Sequence, residues 1–320
     1  MSISRFLDEQ FLHFNARETV DAARAWRAHL EADGKMFLAM AGAMSTAEIG
    51  ISLARMIRSD KIHAICCTAA NLEEDVFNLL AHDEYRTVSH YRDLSPRDEA
   101  ALRDEGMNRV TDTCIPETVI RHVEDRLTSY WVEASERGEA YFPYEYLYRA
   151  LSEPDLAQHF QVPAEQSWVI AAKKKGIPVF SPGWEDSTLG NIFTARVIDG
   201  TVRSHNVIRT GTEQMQRLVE WYLKEQENHP LGFFQIGGGI AGDFPICSVP
   251  LIRQDLEREC RSWSYFAQIS DSTTSYGSYS GAVPNEKITW HKIDVDTPSF
   301  MINSDASIVA PLIFAYVLGD

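Results

Sequence analysis

Long apolar runs are missing from this chain. None reaches the roughly eighteen residues that a membrane-crossing helix needs, so no membrane span is expected. The opening residues Met1-Ser2-Ile3-Ser4-Arg5-Phe6 carry charge early and contain no apolar signal core, which makes the cytoplasm the expected location. Cysteine is sparse. Its five copies, Cys66, Cys67, Cys114, Cys247 and Cys260, form no CxxC pair, and no HExxH occurs, which argues against a disulfide framework and a structural zinc site. Cations are outnumbered, 30 Lys and Arg against 46 Asp and Glu. The resulting net charge of −16 speaks against nucleic acid, whose phosphates need a basic face. The same charge mildly favours a cationic ligand such as a polyamine. A nucleophile elbow and a Walker-type phosphate loop are both absent, which removes the serine-hydrolase and P-loop readings. No Pro/Gly/Ser linker or low-complexity tract divides the 320 residues, enough to bury one large core.

What is present is an alternation of short apolar runs and helical patterns. Residues 36–40, 62–67, 177–180, 233–236, 265–269 and 300–302 read as strands. A helix is expected to open near Ser45-Thr46, with Ile49, Leu53, Met56 and Ile57 on one face. Further helices are expected over 116–134, 143–151, Trp168–Lys175, 213–226 and 308–317. The adjacent Cys66 and Cys67 belong on opposite faces of a buried strand. Repeated strand, small-residue loop and helix units imply an α/β fold, a Rossmann-like and mostly parallel sheet with helices on both faces. Residues 1–34 read as a polar helical extension outside that core, and 35–320 as one domain.

In such sheets ligands bind beyond the carboxyl ends of the strands. Small or polar residues recur there, at Gly42, at Thr68-Ala69-Ala70 and at Gly237-Gly238-Gly239. The triple glycine lets a backbone approach a phosphate or a ring closely, although a tight turn under a packed helix explains it equally well. Glu74, Asp186, Asp243 and Asp305 also fall at such ends, each with a simpler reading as a helix cap or loop solvator. With Glu286 they would line an acidic pocket suited to an amine. Glu73, Glu74 and Asp75 in turn fit the first turn of a helix electrostatically.

One segment points to chemistry. Gly277-Ser278-Tyr279-Ser280-Gly281-Ala282-Val283-Pro284-Asn285-Glu286 is followed by Trp290-His291-Lys292-Ile293. Read as a strand, residues 290–295 put Trp290, Lys292 and Asp294 on one face. A lysine packed against an indole loses hydration, which favours the neutral amine needed to form an imine. A lysine guarding an edge strand is the commoner reason for the same pattern.

Taken together, six motifs resemble the deoxyhypusine synthase family over residues 35–320. They are Thr68-Ala69-Ala70-Asn71-Leu72-Glu73-Glu74-Asp75, Val179-Phe180-Ser181-Pro182, Ile236-Gly237-Gly238-Gly239, Gly277-Ser278-Tyr279-Ser280-Gly281-Ala282, Trp290-His291-Lys292-Ile293 and Ser304-Asp305-Ala306-Ser307. The resemblance implies an NAD-dependent transferase that moves a four-carbon aminobutyl group from spermidine to an acceptor amine, a protein lysine in the hypusine pathway. Lys292 matches the family lysine that holds the group as an imine, and Trp290 the tryptophan along the polyamine methylenes. Gly42, Ala43, Met44, Ser45, Thr46, Thr68, Ala69, Ala70, Glu74, Asp186, Gly238, Asp305 and Ala306 match cofactor positions. Glu73, Gly277, Ser278, Glu286 and Trp290 match amine-binding positions. A homotetramer with sites between paired subunits is implied as well.

The departures from the family pattern cluster at the substrate. Asn191 and Tyr279 stand where substrate-gripping aspartates are expected, and Asp243 replaces a histidine after the triple glycine. Tyr276, Gly42 and Ala43 replace polar cofactor contacts. A charged hydrogen bond contributes roughly 1.5–3 kcal/mol, so loss of two carboxylates weakens spermidine binding considerably. The expectation is retained lysine chemistry with an altered donor or acceptor. A homospermidine-type synthase using a free amine acceptor and a non-catalytic NAD or amine sensor are the competing readings.

Overall fold

The computed structural model describes residues 1–320. Apolar alternation along the strands determines its architecture. In β1 (Lys35–Met40), Met36, Leu38 and Met40 face one core while Phe37 and Ala39 face another. The same division runs through β2 (Ala64–Cys67), where Cys67 and Cys66 take opposite faces as their adjacency predicts. Two short strands, β3 (Arg86–Thr87) and β4 (Met107–Val110), pair with β5 (Thr113–Pro116) in a small antiparallel sheet that periodicity did not reveal. The remaining strands are β6 (Val179–Phe180), β7 (Leu231–Ile236), β8 (Tyr265–Ser270) and β9 (Ser299–Asn303).

Six strands form one parallel sheet in the order β6-β2-β1-β7-β8-β9. By chain order within that sheet this is 3-2-1-4-5-6, the doubly wound dinucleotide-binding arrangement. Between β1 and β7 the winding direction reverses. The helix after β1, Gly50–Arg58, packs its Leu53, Ala54 and Met56 into the larger core, whereas the helix after β7, Gly239–Ile246, sends Ile246 into the smaller one. The loops leaving the two strands therefore part to opposite faces and leave a crevice at their carboxyl ends. The first of these helices begins at Gly50, with turns over 42–49, rather than near Ser45.

The smaller core is built on an aromatic ladder. Phe180, Phe37, Phe233 and Phe266 lie nearly parallel across the sheet, with neighbouring centroids 5.6–6.2 Å apart. Trp263 packs edge-on against Phe37 and Phe233. The N-terminal segment is helical as expected, over Ile3–Gln10 and Phe14–Glu31, yet it does not stand outside the core. Val20, Ala22, Ala23 and Trp26 are buried, and Trp26 meets Phe234, Tyr265 and Phe314. The amphipathic stripe of this helix is narrow, so its polar majority hid the face that packs.

Candidate active site

Hydrogen bonds knit the strand ends into one surface. After β1, the Gly42 carbonyl accepts from Thr68 Oγ1 (2.7 Å) and Asn71 Nδ2 (2.8 Å), which joins the loop to the end of β2. Gly42 has φ +68°, a conformation glycine adopts without strain, and nothing occupies the space where a side chain would stand. Ser45 is used structurally: its N–H donates to Asn71 Oδ1, and its hydroxyl donates to the Asn71 carbonyl while accepting from the Trp168 indole. Thr46 and Glu74 differ. Thr46 lies against the Glu74 carboxyl, whose Oε2 is buried without a hydrogen-bond partner. Burial raises the Glu74 carboxyl to about 7, and nearby Thr46 opposes the rise. An unpartnered buried carboxyl oxygen near the ends of β1 and β2 suits a polar ligand at that point.

After β7, Gly237 and Gly239 have positive φ. A side chain at Gly238 would stand 1.9 Å from Ser280 Oγ, so only glycine lets the two loops meet. Gln268 Nε2 fastens them by donating to the carbonyls of Gly237 (3.1 Å) and Ser280 (2.9 Å). Gly277 adopts φ +90°, and Ser278 Oγ accepts from the Ser280 N–H. The Tyr279 hydroxyl donates to Gln235 Oε1 at 2.7 Å, and burial pushes its ionisation far up, so it is a neutral phenol.

The reactive candidate lies beneath this loop. Lys292 is 6% exposed, and its Nζ donates to Asp243 Oδ1 at 2.9 Å. It approaches the Tyr279 ring at 5.3 Å and the Trp290 ring at 5.9 Å from the centroids, within cation–π range. Residues 290–295 are not a strand. The short helix Glu286–Thr289 ends at Trp290, His291 turns with φ +59°, and Ile293 makes a lone bridge to Trp263. A helix end followed by a left-handed turn, rather than period-two alternation, brings Trp290 and Lys292 together. Trp290 is 62% exposed, and Glu286 is exposed as well.

The other sequence candidates are distributed more widely. Glu73 is buried in the helix Ala69–Ala81, and its carboxylate accepts from the Thr188 and Leu189 N–H groups, both at 2.9 Å. It thereby caps the helix Thr188–Ile198. The Asn191 amide donates to the Ser187 carbonyl (2.7 Å) on that same helix start. Asp75 acts likewise on Trp168–Lys175, accepting from Ser167 Oγ and from the N–H groups of Trp168 and Val169. Asp305 caps its own helix through Ser307, with Ala306 as the first helical residue. Thr68 precedes Ala69 and Ala70 at the start of Ala69–Ala81. Asp186 is exposed after β6. The structure thus joins Lys292, Asp243, Tyr279 and Gly238 in one place, with Thr46, Glu74 and Gly42 at the neighbouring strand ends. Sequence reasoning missed Lys287, which is buried beside the Tyr279 ring.

The fit to a dinucleotide is good by chemistry: a reversal crevice, glycines that permit close backbone approach, and an unpartnered Glu74 oxygen. No helix is long and apolar enough to cross a membrane. The family model for deoxyhypusine synthase matches residues 9–317. "Probable deoxyhypusine synthase 1" of Archaeoglobus fulgidus is 25% identical over 305 residues, covering 95% of this chain and 90% of that protein. A "Deoxyhypusine synthase-like protein" of Nostoc sp. is 26% identical over 334 residues, covering 100% of this chain and 82% of that protein. Among solved structures, a candidate deoxyhypusine synthase from Entamoeba histolytica aligns over 100% of this chain and 94% of that chain, with a TM-score of 0.61 at 13% identity, a likeness of fold.

Proposed function

We infer the activity from one premise: the chain belongs to the deoxyhypusine synthase family. On that basis it is a transferase, and we propose that it moves an aminoalkyl group, NAD-dependently, from a polyamine donor to a second amine through an imine on Lys292. The observation that carries this is Lys292 itself, buried between a phenol and an indole, with its Nζ on a carboxylate at a dinucleotide-type crevice. NAD held between Thr46, Glu74 and the glycine loops would supply reversible hydride uptake from the donor amine.

The chain's own residues supply the rest. Lys292 must lose a proton to become a nucleophile, and Asp243 Oδ1 is the acceptor already bonded to it. The free amine adds to the oxidised donor carbon, and the bond from that carbon to the departing diamine breaks, leaving the carbon double-bonded to Lys292 Nζ. The acceptor amine then displaces Lys292, and reduction of the new imine returns the hydride. Trp290 and Tyr279 line the path with rings suited to methylenes and ammonium groups. Gly238 and the Gly277–Ser278 turn keep the walls close.

The altered substrate site also belongs to this proposal. The Asn191 amide serves a helix start and the Tyr279 hydroxyl serves Gln235, so neither supplies the charge that the family resemblance leads one to expect. Asp243 is the carboxylate in contact with Lys292, which supports a donor or acceptor other than the spermidine and protein-lysine pair, such as a free diamine acceptor. Exposed Ile240, Tyr276, Trp290 and Val295 on the site-bearing segments support assembly with further copies, a homotetramer by family likeness.

The test is incubation with NAD and a panel of polyamines, borohydride trapping and intact-mass analysis. A mass increment that maps to Lys292 is expected with at least one amine. Bound NAD with no increment for any amine would replace the transferase with a sensor.

A further inference from the structure

Behind the loop that leaves β1, a cavity of about 20 Å³ has room for one water-sized occupant. Oxygens make up much of its wall. A side chain at Gly50 would stand 2.7 Å from Asp75 Oδ1 and 3.1 Å from the Gln166 carbonyl oxygen, so both face the space beside this glycine. Asn78, one turn beyond Asp75 on Ala69–Ala81, is 9% exposed and lines the same cavity. Its Nδ2 donates to the Ser45 carbonyl, and its Oδ1 is buried without a hydrogen-bond partner. Exchanging the two ends of the amide would set oxygen against the Ser45 carbonyl, so the hydrogen bond fixes the orientation. Asp75 is also left unfinished. Its Oδ2 accepts from Ser167 Oγ and the Val169 N–H, whereas Oδ1 has only a long bond of 3.3 Å from the Trp168 N–H. The residue is 3% exposed, and no cationic side chain pairs with it. Burial raises the carboxyl to about 6, so it is ionised at neutral pH. A buried charge is ordinarily paired or bound to a metal.

We propose that this cavity binds one monovalent cation, held by Asp75 Oδ1, Asn78 Oδ1 and the Gln166 carbonyl, with water from the open rim completing its shell. The charge count selects the ion. Asp75 supplies one negative charge among neutral oxygens, and Glu48 at the rim already meets His82 Nδ1 at 2.8 Å. Magnesium demands a near-ideal octahedron, and calcium takes six to eight oxygens, several of them from carboxylates. A zinc-like ion needs a gathering of His, Cys, Asp or Glu side chains, and no group of three forms here. A polyamine is too large for a space of this size. By holding Asn78 the ion would also hold the Ser45 carbonyl, and with it the loop that brings Thr46 to Glu74. The site therefore braces the crevice from behind, apart from the lysine chemistry.

The experiment follows thermal unfolding of the full chain at neutral pH in potassium, sodium and choline chlorides. Equal ionic strength makes screening the same in each. Choline is too bulky to enter. Potassium or sodium is expected to raise the midpoint by about 2–4 °C over choline, growing with the logarithm of its concentration. The increment should vanish in Gly50→Ala, whose methyl group fills the space, and in Asp75→Asn, which keeps the shape and removes the charge. Where either variant does not melt cooperatively, Asn78→Ser withdraws the amide oxygen instead. Amide exchange in the unsubstituted protein should slow at residues 45–50 and 166–169 when potassium replaces choline. Equal midpoints in all three chlorides would overturn the proposal and leave a buried water. An increment that survives these substitutions, or slowed exchange confined to other segments, would overturn it in favour of an ion bound elsewhere. Borohydride trapping at Lys292 is independent of this site, so failure of the transferase reading leaves it standing.

Discussion

Lys292→Ala removes an amine that contacts a half-exposed partner, since the Asp243 side chain is 48% accessible. Water solvates that carboxylate once the lysine is gone, but the buried stem leaves a cavity, so stability should fall by about 2–3 kcal/mol while the fold persists. The trapped adduct should disappear while NAD binding, measured by fluorescence titration, changes less than about twofold. Full transfer by the variant would end the imine mechanism. Glu74 gives a second residue-level test, of pH dependence. Its folded carboxyl is raised to about 7 from 4.5, chiefly by burial. A raised acid stabilises the fold fully below its unfolded value, and that stabilisation is lost as pH climbs through the folded value. Glu74→Gln removes the titration. The stability of the unsubstituted chain relative to this variant should therefore fall by about 3 kcal/mol between pH 4.5 and 7.5, read from urea melts without NAD. A flat difference would mean that the Thr46 hydrogen bonds cancel the effect of burial on Glu74. The burial of Lys292 was legible from its tryptophan neighbour, although the two meet through a helix end and a turn rather than the strand expected there. Lys287 was not, because one lysine beside Glu286 reads as an ordinary exposed helix charge, and only the packing of its short helix against Phe266 and Tyr279 buries it.

Elements are tied together here by carboxylates reaching across to foreign helix starts. Three consecutive acids on Ala69–Ala81 divide the work: Glu73 caps Thr188–Ile198, Asp75 caps Trp168–Lys175, and Glu74 caps neither, meeting Thr46 of the loop after β1. Helix periodicity made the acids look like a first-turn dipole match, and nothing local in sequence tells which distant N–H groups they will meet. Glu73→Ala strands two amide donors near a buried position, at a cost of about 2 kcal/mol. Faster hydrogen exchange confined to residues 188–191 should accompany it, whereas uniform acceleration would mean that Glu73 supports the fold at large. The strands were read well because their runs are apolar on both faces, as a covered parallel sheet requires. The small sheet β3-β5-β4 was invisible: its strands are short, mix exposed with buried positions and lack a two-residue period.

On the scale of the molecule, the two sheet faces depend on segments far apart in sequence. The larger core closes only when Phe14–Glu31 lies against the C-terminal helix Ala306–Leu318, through Trp26 on Phe314 and Arg24 near Tyr316. The Ser4 N–H and hydroxyl both donate to the Asp320 carbonyl, so the two ends of the chain are bound to each other. A polar composition suggested an appendage, because composition weighs every face of a helix equally while folding weighs the one that is buried. Removing residues 1–34 would expose Phe234, Tyr265 and Phe314 together, in a chain whose whole stability is about 5–15 kcal/mol. Such a truncation should not yield a cooperative thermal transition. The milder Trp26→Ala leaves every strand end untouched and creates one cavity, so it should lower stability by about 3–5 kcal/mol in urea melts while Lys292 remains trappable below the transition. A truncated chain that melts as sharply as the full one would show that the sheet needs no cover from its own N-terminus.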